Sequence, residues 1–279
     1  MDKRGFEGWY FKHQSGDDAV AFIPGRAESG AFVQMICANG SRQFDVPSLS
    51  AGQGVIRAGD CLFSRGGCKI RLSGVSGELF YGALSPLRSD IMGPFRFFPM
   101  ECRHGVISMG HSVCGSLLID GVEHSFNGGR GYIEKDSGVS FPSAYQWLQC
   151  NDFPKPLSIM LSVATIPFCG FNFKGCICAI LYEGREFRLA TYRGVRILES
   201  RAEIVRLSQG KLLLEVEIKP GSVGHELRSP VLGRMSGMIR ESCNAEIHVR
   251  LWEGGRLILD QSSAMAAYEY VPKAKRFPA

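Results

Sequence analysis

Short runs of alternating apolar and polar residues, each closed by a glycine-bearing turn, recur along the whole chain. "AFVQMICA" and "RQFDV" meet at Asn39-Gly40, and "GSLLID" and "VEHSF" meet around Asp120-Gly121. "AILY" and "REFRLATY" join through Glu183-Gly184, "EIVRLS" and "KLLLEVEI" through Gln209-Gly210, and "EIHVRLW" and "RLILDQSS" at Gly254-Gly255. Alternation puts every second side chain on one face, as a half-buried strand requires. Asn-Gly, Asp-Gly and Gly-Gly pairs tolerate the positive φ angles of tight hairpins. No segment sustains an i, i+3, i+4, i+7 apolar pattern over three turns. "SPVLGRMSGMIRESCNAE" predicts a turn or two of helix near Met235, weakened by Gly237. The expected fold is all-β with a dozen or more antiparallel strands, which must split into packed sheets or close into barrels.

At 279 residues the chain admits two domains or one large β-domain. The two prolines of "NDFPKP" separate an aromatic and acidic stretch from a fresh series of hairpins, which sets a boundary near 152. The expected division is 1–152, 153–272, and a solvated basic tail at 273–279 carrying Lys273, Lys275 and Arg276. The uncharged stretch "PLSIMLSVATIPFCGFNF" approaches membrane-spanning length, but Pro167, Gly170 and Asn172 interrupt it. Two buried strands joined by a turn fit it better, so at most peripheral membrane contact is expected.

The net charge of +5 is mild, and the basic residues are scattered. Nucleic-acid binding calls for a basic stripe or a recognisable module, and neither is present. The opening "MDKRGFEGWYFK" lacks the apolar core of a secretory signal, so a cytoplasmic chain is expected. Its ten cysteines then read as reduced, mostly buried thiols. Cys176 and Cys178 share a strand face, as do Cys102 and His104, yet neither pair has partners at zinc-site spacing. No metal is expected. Phosphate-binding, dinucleotide-binding and hydrolase signatures are absent as well, so no cofactor is expected.

Three stretches combine large apolar side chains with ionisable ones. "FEGWYFKH" places Glu7, Trp9 and Phe11 on one strand face and Gly8, Tyr10 and Lys12 on the other. "IMGPFRFFPMECRHGVISMGH" surrounds Arg96, Glu101, Arg103, His104 and His111 with Phe and Met. "GYIEKDSGVSFPSAYQWLQCN" sets Glu134, Lys135 and Asp136 beside Phe141, Tyr145 and Trp147. A carboxyl lodged among aromatic rings loses hydration and holds its proton closer to neutral pH. The same rings stabilise a developing cation. A solvated strand face opposite a tryptophan-anchored core would produce the same letters, and spacing alone favours that structural reading.

These stretches resemble the tocopherol cyclase-like family. One family segment appears as Glu7-Gly8-Trp9-Tyr10-Phe11-Lys12. A later one appears as Tyr132, Glu134, Lys135, Gly138, Phe141, Pro142, Trp147, Gln149, Cys150 and Asn151. "SPVLGRMSGMIRESCNAEIHVRLW" and "SSAMAAYE" look like the family's closing strands. The resemblance implies distant kinship with carotenoid hydratases and two antiparallel β-barrel or sandwich domains, lipocalin-like, with an isoprenoid pocket at or near their junction. It also implies a cofactor-independent cyclisation. An acid protonates a prenyl double bond, a tertiary carbocation forms, and a phenolic oxygen closes the ring. By that resemblance Glu134 or Asp136 is the expected proton donor, with Glu7 second. Lys12 or Lys135 would orient the substrate, Trp9, Tyr10, Tyr145 and Trp147 would line the pocket, and His104 and Gln149 complete the binding set. Two other readings stay open: a lipocalin-like binder of a hydrophobic ligand, and a structural protein whose pocket has filled with side chains.

Overall fold

The computed structural model describes residues 5–168, 170–219 and 224–273, so the expected basic tail beyond Lys273 lies outside the described residues. In chain order the first sheet holds β1 (Phe6–Ser15), β2 (Asp18–Ala27), β3 (Gly30–Cys37), β4 (Gly40–Val46), β5 (Leu49–Gly52), β6 (Val55–Ala58), β7 (Cys61–Ser64), β8 (Gly67–Leu72), β9 (Val75–Tyr81), β10 (Cys102–Ile119), β11 (Val122–Ser125) and β12 (Gly129–Gly138). Its strand order is β4-β3-β2-β1-β12-β10-β9-β8-β7-β6-β5, with β11 paired to β10. The second sheet holds β13 (Tyr145–Cys150), β14 (Leu157–Phe168), β15 (Phe171–Tyr182), β16 (Arg185–Ala190), β17 (Arg196–Arg201), β18 (Ile204–Gln209), β19 (Leu212–Lys219), β20 (His225–Val231), β21 (Arg234–Glu253) and β22 (Arg256–Val271). It runs β16-β15-β14-β13-β22-β21-β19-β18-β17, with β20 paired to β21. The fold is all-β and antiparallel, as the alternation predicts.

The chain divides into two compact units, and neither is continuous. Unit 1 comprises Met1–Arg88, Arg103–Ser140 and Leu227–Met238, and unit 2 comprises Ser89–Cys102, Phe141–Glu226 and Ile239–Ala279. The break in the middle of the chain thus falls after Ser140, and β13, placed before the expected boundary at 152, pairs with β14 and β22 in the second sheet. In unit 1 the long sheet bends over so that β5 and β6 pack on β2 and β3. The core between these layers holds Trp9, Phe11, Phe22, Met35, Phe63, Ile70, Leu117 and Ile133. In unit 2 the core is built on Leu148, Ile159, Leu161, Cys178, Ile180, Leu189, Val216 and Val249.

Hairpins form at the five predicted places, although the first turns through Ala38-Asn39, with Gly40 already in β4 and neither Asn39 nor Gly40 at positive φ. Asp120 and Gly121 adopt φ 51° and 83°, and Glu183 and Gly184 adopt 48° and 72°, the left-handed pairs of two-residue hairpins. The long uncharged stretch forms the β14–β15 hairpin, and no helix among the described residues is long and apolar enough to cross a membrane. The helical turn expected near Met235 is a correction: the segment is the β20–β21 hairpin, turning at Leu232-Gly233. Cross-strand pairing outweighs so weak a helical preference. All nine described cysteines are free thiols, and Cys176 and Cys178 both face the core of unit 2.

Candidate acid–base site

Strand β12 reads Tyr132-Ile133-Glu134-Lys135-Asp136. Its pleat sends Tyr132, Glu134 and Asp136 to one face and Ile133 and Lys135 to the other. β1 runs antiparallel beside it, with Lys12 opposite Tyr132, Tyr10 opposite Glu134 and Gly8 opposite Asp136. β10 flanks β12 on its other edge and supplies His104. The imidazole joins the two acids: Nδ1 lies 2.9 Å from Oδ1 of Asp136, and Nε2 lies 3.3 Å from Oε2 of Glu134. The Tyr132 hydroxyl donates to the same Glu134 oxygen at 2.6 Å. Tyr132 and Glu134 are buried, whereas the Asp136 side chain keeps 21% of its surface and forms the wetter end of the cluster.

The electrostatics follow from this placement. Burial works against a charge on His104, but the Glu134 and Asp136 carboxylates outweigh it and hold the imidazole pKa well above its ordinary value. Burial raises the Glu134 pKa, against the opposing pull of His104, and the Asp136 charge adds to the rise. Burial and the Glu134 charge push the Tyr132 phenol up, so it stays a donor. A proton shared among these groups sits in a poorly hydrated place from which it can be passed to a bound molecule and taken back. One nitrogen of His104 and one oxygen from each acid also lie within 4.8 Å of one another, a donor set that suits a divalent cation. Cysteine and histidine spacing gave no sign of this trio, because His104 and Asp136 are 32 residues apart on separate strands.

Glu7 does not join this cluster. It projects from the opposite face of the sheet, where Arg26 Nη2 lies 2.7 Å and Lys135 Nζ 2.5 Å from its carboxylate. Burial would raise its pKa, but hydrogen bonds and charge from Lys135 and Arg26 prevail and lower it. Lys135 Nζ also rests 4.7 Å above the Trp9 ring, so Glu7, Trp9 and Lys135 form one group. Tyr10 and Lys12 are buried on the face that carries Glu134. Tyr145, Trp147 and Gln149 are buried together on one face of β13 in unit 2, where the Tyr145 hydroxyl donates to Glu269 at 2.5 Å.

Sequence reasoning left one polar group inside unit 1 unread. His13 Nε2 lies 2.6 Å from the Tyr81 hydroxyl, the Tyr81 ring centre lies 4.6 Å from that of His111 with the two rings tilted by 50°, and His111 Nδ1 lies 3.0 Å from Ser108 Oγ. Burial depresses both imidazoles, His13 to about 3 and His111 to about 4. The nearest sequence signal was parity, since His104 and His111 are seven residues apart on one continuous strand and therefore face opposite ways.

A family model described as tocopherol cyclase-like matches residues 80–270. The chloroplastic tocopherol cyclase of Zea mays is 27% identical over 207 residues, covering 68% of this chain and 43% of the plant protein. The chain thus spans less than half the length of the curated relatives it matches. Among solved structures, CghA aligns with a TM-score of 0.64 at 12% identity, covering 99% of this chain and 91% of CghA. Kievitone hydratase from Nectria haematococca aligns with a TM-score of 0.51 at 11% identity, covering 96% and 89%. These alignments extend over nearly the full chain and establish a common two-sheet, lipocalin-like fold. With the family model covering more than half of the chain, from the end of β9 through the acid cluster and the second sheet, the chain belongs to the tocopherol cyclase-like family.

Proposed function

We propose that this protein is a cofactor-independent acid catalyst that closes a ring on a prenylated phenol or related isoprenoid, with Glu134 as the proton donor. The observation carrying this reading is the His104 bridge, which ties Glu134 to Asp136 inside a buried cluster. Glu134 is the acid whose surroundings favour the protonated form, whereas Glu7 is ion-paired and favours the charged form. His104 and Asp136 act as positioning residues: they hold the Glu134 carboxyl and, through the partly exposed Asp136, connect it to water. In the step, the Glu134 proton adds to the prenyl double bond, the phenolic oxygen attacks the resulting tertiary cation, and the phenolic proton returns to the carboxylate. One π bond and one O–H bond are lost and one C–H and one C–O bond form, so no co-reactant is consumed. The relatives' name, tocopherol cyclase, supports the reaction class.

The test is turnover of a prenylated hydroquinone by purified variants. Glu134→Gln should lower kcat by about 100-fold or more, the usual scale for a lost general acid, while Glu7→Gln leaves kcat close to the parent. Exhaustive chelation should not change the rate. An undiminished Glu134→Gln, or activity lost to a chelator and restored by a divalent ion, would remove the acid reading, the latter in favour of a metal held by the same trio.

A further inference from the structure

Unit 1 contains a cavity of about 290 Å³ on the opposite face of β1 and β12 from the acid cluster. Its walls are Trp9, Phe11, Val55, Ile56, Ile107 and Ile133. That volume lies near the lower end for small-molecule sites, which are mostly apolar with a few placed polar groups. The cavity opens to solvent and only the edges of its apolar walls are uncovered, so an apolar chain entering it would displace water from Val55, Ile107 and the rim of Trp9.

The charged residues of the cavity are Arg26, Arg65 and Lys135 against the single carboxylate of Glu7. Glu7 bridges Arg26 and Lys135, which leaves an excess of two positive charges there. Lys135 is held over the Trp9 ring, so the cationic and apolar parts of the lining meet at one point. Ala51 and Gly52, at the exposed end of β5, and Gly54, in the turn to β6, also line the cavity, and a Cβ built at Gly52 meets nothing within 4 Å. The lining at the surface is therefore small and unobstructed.

We propose that this cavity is a second ligand site, separate from the acid cluster, that binds an amphipathic carboxylate with its apolar chain against Trp9, Ile56 and Ile133 and its head at Arg65 and Lys135. The proposal is independent of the acid reading, because no residue of the His104 cluster lines the cavity.

Octanoate is the probe, added to the full chain and followed by calorimetry and by the indole N–H resonances of the three tryptophans, Trp9, Trp147 and Trp252. Octanoate should bind saturably at one equivalent and shift the Trp9 resonance, while octylammonium does not bind. Gly52→Phe, which fills the surface end of the cavity without entering the core, and Arg65→Glu should each weaken octanoate at least 10-fold, with circular dichroism confirming that the variants stay folded. The proposal is overturned if octanoate does not saturate, if octylammonium binds as well, if Trp147 or Trp252 shifts in place of Trp9, or if both folded variants bind octanoate like the parent.

Discussion

His104 and His13 are both buried imidazoles, and their surroundings send their titrations in opposite directions. His104 has two carboxylates within reach and holds its proton, whereas His13 has a phenol and a neighbouring imidazole and gives its proton up. In the unfolded chain both titrate near the ordinary value of roughly 6.5. Below that pH the unfolded chain protonates His13 and His111 while the folded chain does not until about 3 and about 4, so folding stability falls as pH drops through this window. Each imidazole contributes up to roughly 1.4 kcal/mol per pH unit. His104 is protonated in both states there and adds no slope; its stabilisation is lost only above the window, as pH rises through its raised pKa. Glu134, with a raised pKa, opposes the trend, one carboxyl against two imidazoles. Urea midpoints measured between pH 7 and pH 4 should therefore decline on acidification, and a flat series would contradict neutral buried imidazoles. Of the acid cluster, the i, i+2, i+4 placement of Tyr132, Glu134 and Asp136 was legible in the sequence. The bridge to His104 was not, because it depends on which strand lies beside β12, a long-range outcome that local letters do not encode. The same limit put Glu7 with the acids, although the alternation of β1 and its register with β12 set it on the other face.

At the scale of elements, the β20–β21 turn carries a residue that its backbone disfavours. Leu232 adopts φ 50° with its side chain 74% exposed, so it bears the left-handed penalty with little packing in return. Its own N–H donates to Ser140 Oγ, and the Gly233 N–H donates to the Val139 carbonyl, so the turn is held by backbone groups that a substitution retains. Leu232→Asn should stabilise the protein by about 1 kcal/mol, a rise in Tm of roughly 2–4 °C for a chain of this size. Differential scanning calorimetry checks it, and a lower Tm would mean the leucine makes contacts that offset its strain. This turn also shows why most hairpins were readable and this one was not. Asp120-Gly121 announces itself through two residues that accept positive φ, whereas Leu232-Gly233, like Glu183-Gly184, carries half of that signal, and the segment around Met235 lacked the clean alternation that flanks the other turns.

For the whole molecule, the discontinuous units place unusual weight on the segments that cross between them in sequence. Residues 89–102, inserted between β9 and β10, belong to unit 2, and Arg188 fastens them there. Its guanidinium donates to the carbonyls of Ser89 and Asp90, while its Nη2 also lies 2.7 Å from Glu186, and both side chains are almost fully enclosed. Tyr192 adds a hydroxyl bond to the Ile91 carbonyl. Arg188→Leu would leave the Glu186 charge without its guanidinium and release the hydrogen bonds that Arg188 donates to the Ser89 and Asp90 carbonyls and, at 3.0 Å, to the Tyr192 hydroxyl, which should cost roughly 3–5 kcal/mol. Urea unfolding checks this, and a loss under 1 kcal/mol would show that packing alone retains the segment. The interleaving has a further consequence for biosynthesis. A ribosome releases residues in order, and chains of this kind ordinarily complete one domain before the next. Here the last stretch of unit 1, Leu227–Met238, emerges after β13 to β19 have already been made. The strands of the first sheet are all made by Gly138, yet unit 1 receives its last segment only after seven strands of the other unit have been synthesised. Unit 2 in turn waits for β22, so each half stays incomplete while the other is being extended.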